Sequence, residues 1–364
     1  MTVSDFDDYR PPEPPRRRRR GGKRRRAGAG GKDGGGRGEV PMVPEAQFST
    51  YYGRPVIKAP PWGNPIAAYL FLGGVAGGSA LLGAGAQLAG KRALCRNSRL
   101  AALAAVGVGS AALVADLGRP ERFHHMLRTF KPTSPMSVGS WILMAFSIGA
   151  GVSGASEIDR MTGSRLPLGP LRRLLRGVEG PAGLEAAVFA TPLAAYTAVL
   201  LSNTANPTWN AAREDLPFVF VSSASLAAGG LAMITTPVGE TGPARALAVL
   251  GVAGELTAVR IMEKNMDPIA AEPLHLGGPG KMLRWSERLA VAGGLGALFG
   301  GRNRFIAAAA GVSLLGASAL TRFGILRAGI ASAEDPRYTI EPQKNRLAAR
   351  RRAGITHDSI TTAG

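Results

Sequence analysis

Long stretches without a charged residue alternate with polar segments along this chain of 364 residues. Between Lys58 and Lys91 lie 32 uncharged residues, and comparable stretches cover 132–156, 186–212 and 216–239. A helix rises 1.5 Å per residue, so about 20 apolar residues cross a hydrocarbon core about 30 Å thick. The pattern therefore excludes a soluble globular protein and predicts membrane-spanning helices.

Eight spans are predicted after Trp62, which makes the fold class an all-α, polytopic membrane helical bundle. They cover 64–89, 99–116, 137–156, 182–202, 216–235, 244–262, 285–300 and 304–322. The last two are the weakest, because 13 uncharged residues separate Arg288 from Arg302 and 17 separate Arg304 from Arg322. Such a pair must tilt little, snorkel its arginines or form a tight hairpin.

Four glycines of the first span form overlapping small-xxx-small pairs, Gly73 with Gly77 and Gly74 with Gly78. Pairs of this kind let another helix backbone approach closely. A phosphate-binding loop is the alternative, but no strand precedes Gly73 and no Walker lysine follows. We therefore expect a packing role.

Charge is concentrated outside the spans, in basic terminal segments. Nine of the eleven residues 16–26 are basic and a Gly-rich stretch follows, so 1–55 is predicted to be a disordered tail. The transmembrane domain is predicted at 60–325 and a polar, basic C-terminal segment at 326–364. An even span count and the positive-inside rule place both termini in the cytoplasm of a bacterial cell. The expected partners of this basic surface are membrane lipids, not nucleic acid.

The cysteine and histidine counts limit the redox cofactors of this chain. Cys95 is the only cysteine, which excludes a disulfide within the chain, a cysteine-ligated zinc site and an iron–sulfur cluster. The four histidines lie outside the predicted spans, so a haem between spans has no ligands. We therefore expect neither haem nor a cluster here.

The second span ends in Asp116-Leu117-Gly118-Arg119-Pro120, and a loop leads from there to the third span. Apolar residues at positions 123, 126, 127 and 130 predict a short amphipathic helix beginning near Pro120. Its polar face is a candidate docking surface for a partner protein and carries Arg122, His124, His125 and Arg128. The alternative is an ordinary interfacial loop with solvated charges.

A few polar side chains fall within or at the ends of the spans. Glu185, Tyr196 and Asn203 share one face of the fourth span, and Glu255 lies inside the sixth. Ionisable groups in a membrane are costly, so Glu185 and Glu255 are candidates for a proton path. A neutral, hydrogen-bonded Glu255 is the alternative. Because consecutive helices alternate in direction, one membrane face is expected to hold Tyr196, Asn203, the 116–134 loop and Asn64. Asn64 is also a candidate helix cap. Glu185 is expected near the opposite face.

Several strings together resemble a known family. They are WGNPIAAYLFLGGVAGGSALL in the first span, ADLGRPERFHHML closing the second, FKPTSPMSVGSWIL opening the third and YTAVLLSNTANPTWN ending the fourth. They resemble the NrfD or polysulfide-reductase membrane-anchor family over roughly residues 60–325. The resemblance is strongest in the first four spans.

The resemblance implies a haem-free membrane subunit that is not catalytic by itself. Such a subunit docks an iron–sulfur subunit and a molybdopterin catalytic subunit, and it exchanges electrons with a quinone, menaquinone or ubiquinone. The positions implied for the quinone are Asn64, Asp116, Arg119, His124 and Tyr196, and those for docking include Arg122, His125 and Arg128.

Two departures from the family pattern bear on this expectation. Ala67 stands one turn into the first span, at the position where the resemblance allows a histidine for the quinone site. The basic tails favour a cytoplasmic partner, for example a formate-dehydrogenase-like enzyme, whereas many members dock one outside the cytoplasm. A proton-coupled secondary transporter using Glu185 and Glu255, and a purely structural tether, remain alternative functions.

Overall fold

The computed structural model describes residues 55–117, 119–165, 167–300 and 303–354, and these residues are helical with no strand. The α-helices are α1 (Asn64–Leu88), α2 (Arg92–Ala115), α3 (Pro135–Met161), α4 (Leu171–Ser202), α5 (Pro207–Ala211), α6 (Leu216–Thr235), α7 (Gly242–Asn265), α8 (Pro268–His275), α9 (Gly277–Phe299), α10 (Arg304–Glu334) and α11 (Arg337–Arg352). Two 3₁₀ helices cover Pro120–Leu127 and Val238–Glu240. The expected tail 1–55 lies outside the described residues except at its last position.

The predicted all-α polytopic bundle is confirmed. Within the described residues six helices are long and apolar enough to cross a membrane, namely α1, α2, α3, α4, α6 and α10. The other two predicted spans are the helices α7 and α9, with 24 and 23 residues. Both carry several ionisable residues, which lowers their apolarity.

Helix α10 differs from the predicted eighth span 304–322. It begins at Arg304 but continues past residue 325 to Glu334, because small residues such as Ala328 and Gly329 are buried along it. Snorkelling arginines were one of the three possibilities for this pair of spans, and Arg322 does not snorkel. Its side chain is fully buried inside the helix, where the Phe220 carbonyl accepts a hydrogen bond from it.

The eight long helices alternate in direction. We call the face that holds the Pro120–Leu127 helix the loop face. There the side chain of Arg327 near the end of α10 donates to Asn64 at the start of α1, over 3.1 Å. At the opposite face the amide of Asn97 in α2 donates to the carbonyl of Thr235 at the end of α6, over 2.7 Å.

Helix α1 lies at the centre of the bundle and packs against α2, α4, α6 and α10. A Cβ atom added to Gly77 would lie 2.7 Å from the carbonyl oxygen of Ala190 in α4. One added to Gly78 would lie 2.6 Å from the Cβ atom of Ala228 in α6. The predicted packing role is confirmed at these two glycines, whereas Gly73 faces nothing within 4 Å.

Replacing Gly78 by Ala is therefore expected to destabilise the bundle. The added methyl group has no room between α1 and α6, and overpacking of this kind costs about 1–3 kcal/mol. The measurement is the thermal unfolding midpoint of the full chain in one detergent. Gly85→Ala is the matched control in the same helix, because a Cβ atom at Gly85 meets nothing within 4 Å. Equal midpoints for the two variants would contradict the packing role.

Candidate functional site

A cavity of about 200 Å³ lies near the loop face between α2, the 3₁₀ helix Pro120–Leu127 and α3. Its lining is mostly apolar and consists of Ser110, Leu113, Val114, Leu117, Phe123, Met126, Leu127, Ser140, Leu143, Met144 and Ser147. Ligand pockets in proteins are commonly concave and apolar with a few polar groups that fix orientation. This cavity has the shape and chemistry to hold part of an amphiphilic ring compound.

The 3₁₀ helix begins at Pro120, where the sequence predicts a short helix. Phe123, Met126 and Leu127 of the predicted apolar stripe line the cavity. Phe130 lies beyond the end of the helix, and its ring meets the edge of Trp141 with centroids 6.1 Å apart. The stripe is therefore shared between the helix and the segment that follows it.

The predicted docking residues lie on the outer side of the same helix. Arg122, His124, His125 and Arg128 are all exposed. The rings of His124 and His125 are 4.4 Å apart and roughly perpendicular. Among the described residues none of these four side chains has an ion-pair partner, so their polar groups face outward from the bundle.

Asp116 and Arg119 lie between the end of α2 and the start of the 3₁₀ helix. Asp116 is the C-cap residue of α2 and is half-buried, and this burial raises the pKa of its carboxyl group. Arg119 is the exposed N-cap residue of the 3₁₀ helix. The adjacent Leu117 lines the cavity, which places both polar residues at its rim.

Three aromatic side chains with a polar atom lie at similar depth below the loop face. Tyr69 follows the start of α1 by five residues, Trp141 follows the start of α3 by six, and Tyr196 precedes the end of α4 by six. At 1.5 Å per residue these positions are about 7–9 Å from the helix ends. By depth they therefore lie in the part of the bundle nearer to the loop face, as the cavity does.

Two of these side chains have a buried polar atom without a partner. The hydroxyl group of Tyr69, a residue 3% exposed, and the indole nitrogen of Trp141 form no hydrogen bond with any described residue. Buried polar groups are nearly always hydrogen-bonded, and an orphaned donor needs an explanation such as a ligand. Sequence analysis missed both residues, although each lies in a string that carries the family resemblance.

Tyr196 owes its position to a glycine of α3. A Cβ atom at Gly139 would overlap the Tyr196 ring, so only a glycine at this position leaves room for that ring. Leu143, one turn further along α3, packs against the same hydrophobic core as Tyr196 and also lines the cavity. The packing of α3 on α4 thus places Tyr196 beside the cavity, although the ring is not part of its lining.

Asn64 does not line the cavity. It is exposed, caps no helix, and accepts the hydrogen bond from Arg327 described above. Next to it Trp62 stacks on Trp209 with ring centroids 5.6 Å apart. The structure therefore places Asn64 at the contact between α1 and α10, away from the residues that line the cavity.

The two predicted proton-path residues lie in different parts of the bundle. Glu185 lies fourteen residues into α4, which begins at Leu171 and not at 182, so the carboxyl group is deeper than expected. Its carboxylate occupies the space beside Gly149 of α3, and one oxygen has no partner. Glu255 lies in α7, where its Oε1 atom is 2.6 Å from the hydroxyl oxygen of Thr321. No hydrogen bond or ion pair joins the two acids.

Two buried arginines were missed because the sequence places them at span ends. Arg322 lies 3.7 Å from the centroid of the Phe220 ring. Arg99 was taken as the first residue of the second span, but α2 begins earlier, at Arg92. Its buried guanidinium pairs with Glu157 of α3 over 2.8 Å near the opposite face. In both cases tertiary partners allow a charge inside the bundle.

The fold and the site define a multi-pass, all-helical membrane protein with an apolar cavity near the loop face. A family model described as polysulphide reductase, NrfD, matches residues 56–250, which is more than half of the chain. The chain therefore belongs to the NrfD family, whose members are membrane subunits of oxidoreductase complexes. No curated protein matches the chain. The match includes the cavity and the three aromatic residues, whereas Glu255 and Arg322 lie beyond it.

Asp116→Asn is expected to raise the thermal unfolding midpoint at neutral pH. Because burial raises the pKa of Asp116, folding disfavours its charged form, and this cost is present above the folded pKa and absent below the ordinary pKa of 3.8. The difference in midpoint between the variant and the wild type should therefore shrink as the pH falls from 8 towards 4. Glu121→Gln removes an exposed carboxyl from the same loop and is the control. A difference that grows as the pH falls would contradict this account.

Proposed function

We propose that this chain exchanges electrons with the membrane quinone pool and anchors an oxidoreductase whose iron–sulfur and molybdopterin subunits hold the other redox centres. The observation that carries the proposal is the apolar cavity near the loop face, together with two orphaned hydrogen-bond donors a few residues below the same face, inside the segment that matches the NrfD family. Members of this family interact with quinones and generally pair with iron–sulfur and molybdopterin subunits.

The residues around the cavity suit a quinone. A quinone has an apolar ring, two carbonyl acceptors and an isoprenoid tail, and it takes up two electrons and two protons to become a quinol. The apolar lining from α2, α3 and the 3₁₀ helix fits the ring or the start of the tail. The hydroxyl of Tyr69 and the indole nitrogen of Trp141 are donors without a partner, which a carbonyl oxygen would satisfy.

The polar residues at the rim have distinct proposed roles. Tyr196 donates its hydroxyl to the quinone, and its ring is fixed against Gly139. Asp116 passes protons, since a carboxyl whose pKa burial raises binds and releases protons nearer to neutral pH. Arg119, His124 and Asn64 complete the polar surface at the loop face.

The loop face is also the proposed docking surface for the iron–sulfur subunit. Arg122, His125 and Arg128 are exposed there, and the ring of Phe123 is 49% exposed beside them. Unpaired cations around an exposed aromatic ring favour an acidic partner surface with an apolar centre. This arrangement would bring an external cluster close to the cavity. The basic terminal segments favour a cytoplasmic location for both termini and for this face, in a bacterial cell membrane.

Quinol formation also needs protons, and we propose that Glu185 and Glu255 take part in their movement. Glu185 has an unpartnered carboxylate oxygen between α3 and α4, among the first four long helices, which also hold the cavity. Glu255 would act among the later helices, where it lies between α7 and α10.

Tyr196→Phe in the intact complex is expected to lower quinone-linked turnover while assembly is preserved. Loss of one hydrogen bond, about 0.5–1.5 kcal/mol, corresponds to a two- to tenfold decrease. Gly139→Ala should lower turnover as well, because the added methyl group displaces the Tyr196 ring. Val188→Ala, at an exposed position of α4, is the control. Wild-type turnover in both variants would remove Tyr196 from the site.

The full-length protein, purified in mild detergent from its native host, is expected to carry stoichiometric iron together with molybdenum or tungsten. The metals would belong to co-purifying subunits, and elemental analysis of the complex measures them. Reversing the charge of Arg122 and Arg128 together should release these subunits, whereas reversing the charge of Arg165 at the opposite face should not. A folded chain that purifies without metal or partner would contradict the anchor function and favour a transporter.

A further inference from the structure

A second cavity, of about 220 Å³, opens at the loop face between α7, α8, α9 and α10. Its deep end is lined by Glu255, Ser286 and Thr321, and its mouth by Glu263 and His275. Glu255 precedes the loop-face end of α7 by ten residues, which is about 15 Å at 1.5 Å per residue. A cavity of this volume is large enough for several water molecules, and the polar side chains among its mostly apolar lining offer them hydrogen-bond partners.

Three short contacts between oxygen atoms form a chain along the wall of this cavity. Glu255 Oε1 lies 2.6 Å from Thr321 Oγ1, which lies 2.6 Å from Ser286 Oγ. Ser286 Oγ lies 2.7 Å from the carbonyl oxygen of Ala317. Each contact needs one hydrogen atom, since two oxygens at these distances repel each other without one.

The two hydroxyl groups supply only two of the three hydrogen atoms. The third is supplied if the carboxyl group of Glu255 is protonated and donates to Thr321. Thr321 then donates to Ser286, and Ser286 donates to Ala317, so every contact is satisfied in one direction. With an ionised Glu255 one of the three contacts has no hydrogen atom.

The second carboxyl oxygen, Glu255 Oε2, has no partner among the described residues, although the residue is only 3% exposed. An ionised carboxylate left unsatisfied in a membrane helix is costly, and either a proton or water in the cavity lowers this cost. The other ionisable groups that line the cavity are Arg260 and Glu263 of α7, His275 of α8, and Arg284 and Glu287 of α9, and Arg322 of α10 is the cation nearest to Glu255. No ion pair joins Glu255 to Arg322.

The mouth of the cavity holds a pair that can relay protons. His275 Nε2 lies 3.6 Å from Glu263 Oε1, and both side chains are partly exposed. The backbone carbonyl of His275 accepts a hydrogen bond of 2.9 Å from Arg284, which fixes the turn between α8 and α9. Histidine is the side chain whose ordinary pKa best suits proton exchange near neutral pH.

Towards the opposite face, tightly packed helices close the route. A Cβ atom at Gly251, one turn from Glu255 in α7, would overlap the backbone of Leu226 in α6. One at Gly230 of α6 would lie 2.8 Å from the carbonyl oxygen of Gly311 in α10. Backbones in such close contact leave no space for water between them.

We propose that Glu255 is a protonated carboxylic acid that exchanges its proton with the aqueous phase of the loop face only, through the cavity whose mouth holds Glu263 and His275. The proton passes from the carboxyl group to water in the cavity, then to His275, and from there to the aqueous phase. Uptake of a proton follows the reverse route. The inference rests on the proposed proton-path role of Glu255 and not on quinone or partner binding.

Cysteine labelling of the full chain in proteoliposomes tests the sided access. In a Cys95→Ala background, Ser286→Cys is placed in the cavity and Ser318→Cys beyond it, where Ser318 is buried and bonds Ser223 over 2.9 Å. Glu121→Cys and Arg165→Cys, exposed at the loop face and the opposite face, report which face is outside. The probe is a small, charged, membrane-impermeant thiosulfonate reagent, and mass spectrometry measures the mass shift.

The expected result is modification of Ser286→Cys from the loop face alone and no modification of Ser318→Cys from either face. Ala290→Cys, which also lines the cavity, replaces Ser286→Cys if that variant does not fold. Modification from the opposite face, or no modification of either cavity cysteine from the loop face, would overturn the proposal.

Infrared spectroscopy of the same full chain tests the protonation state. The wild-type protein at neutral pH should show a carbonyl band of a protonated carboxyl that is lost in Glu255→Gln and that shifts in D₂O. Glu185→Gln is the control for the other intramembrane acid. If Glu255→Gln removes no such band, Glu255 is ionised and the proposal fails. Neither measurement requires quinone, so failure here is distinguishable from failure of the electron-exchange function.

Discussion

The guanidinium of Arg322 is fully buried where α10 packs against α6 and α1. It projects from α10 and donates a hydrogen bond to the Phe220 carbonyl of α6, whose ring it also covers. It is also close to α1, since a Cβ atom added to Gly74 would lie 3.1 Å from its Nη2 atom. A charge inside a membrane bundle is costly, and here the Phe220 carbonyl satisfies one guanidinium nitrogen while Nε and Nη1 have no partner among the described residues. The position of this side chain therefore depends on the close packing of α10 on α6 and α1.

The bundle separates two kinds of chemistry around the central helix α1. The cavity with Tyr69, Trp141 and Tyr196 lies among the first four long helices, within the segment that matches the NrfD family. Glu255, Thr321 and Arg322 lie among the later helices. Helix α1 contacts both groups, through Gly77 on α4 and Gly78 on α6. The two groups of helices are therefore packed on one common helix, α1.

The sequence predicted the helices well because uncharged length is a direct physical requirement of a membrane span. It failed at Arg99 and Arg322, where a charge was taken as the end of a span although tertiary partners stabilise it inside the bundle. Tyr69 and Trp141 were also missed. Their unpartnered donors are visible only once three helices are packed, because the spacing along the chain gives no information on which polar atoms lack a partner.

The two cavities open on the same face, and this arrangement constrains energy conservation under the proposed functions. Electrons from a docked subunit reach the quinone from the loop face, and Glu255 exchanges protons with that same face. Protons and electrons taken up from one side carry no net charge across the membrane. The contacts of Gly251 with Leu226 and of Gly230 with Gly311 close the other side. Transfer of charge through this half of the bundle would therefore require α6 to separate from α7 and α10, which the close packing of these backbones opposes.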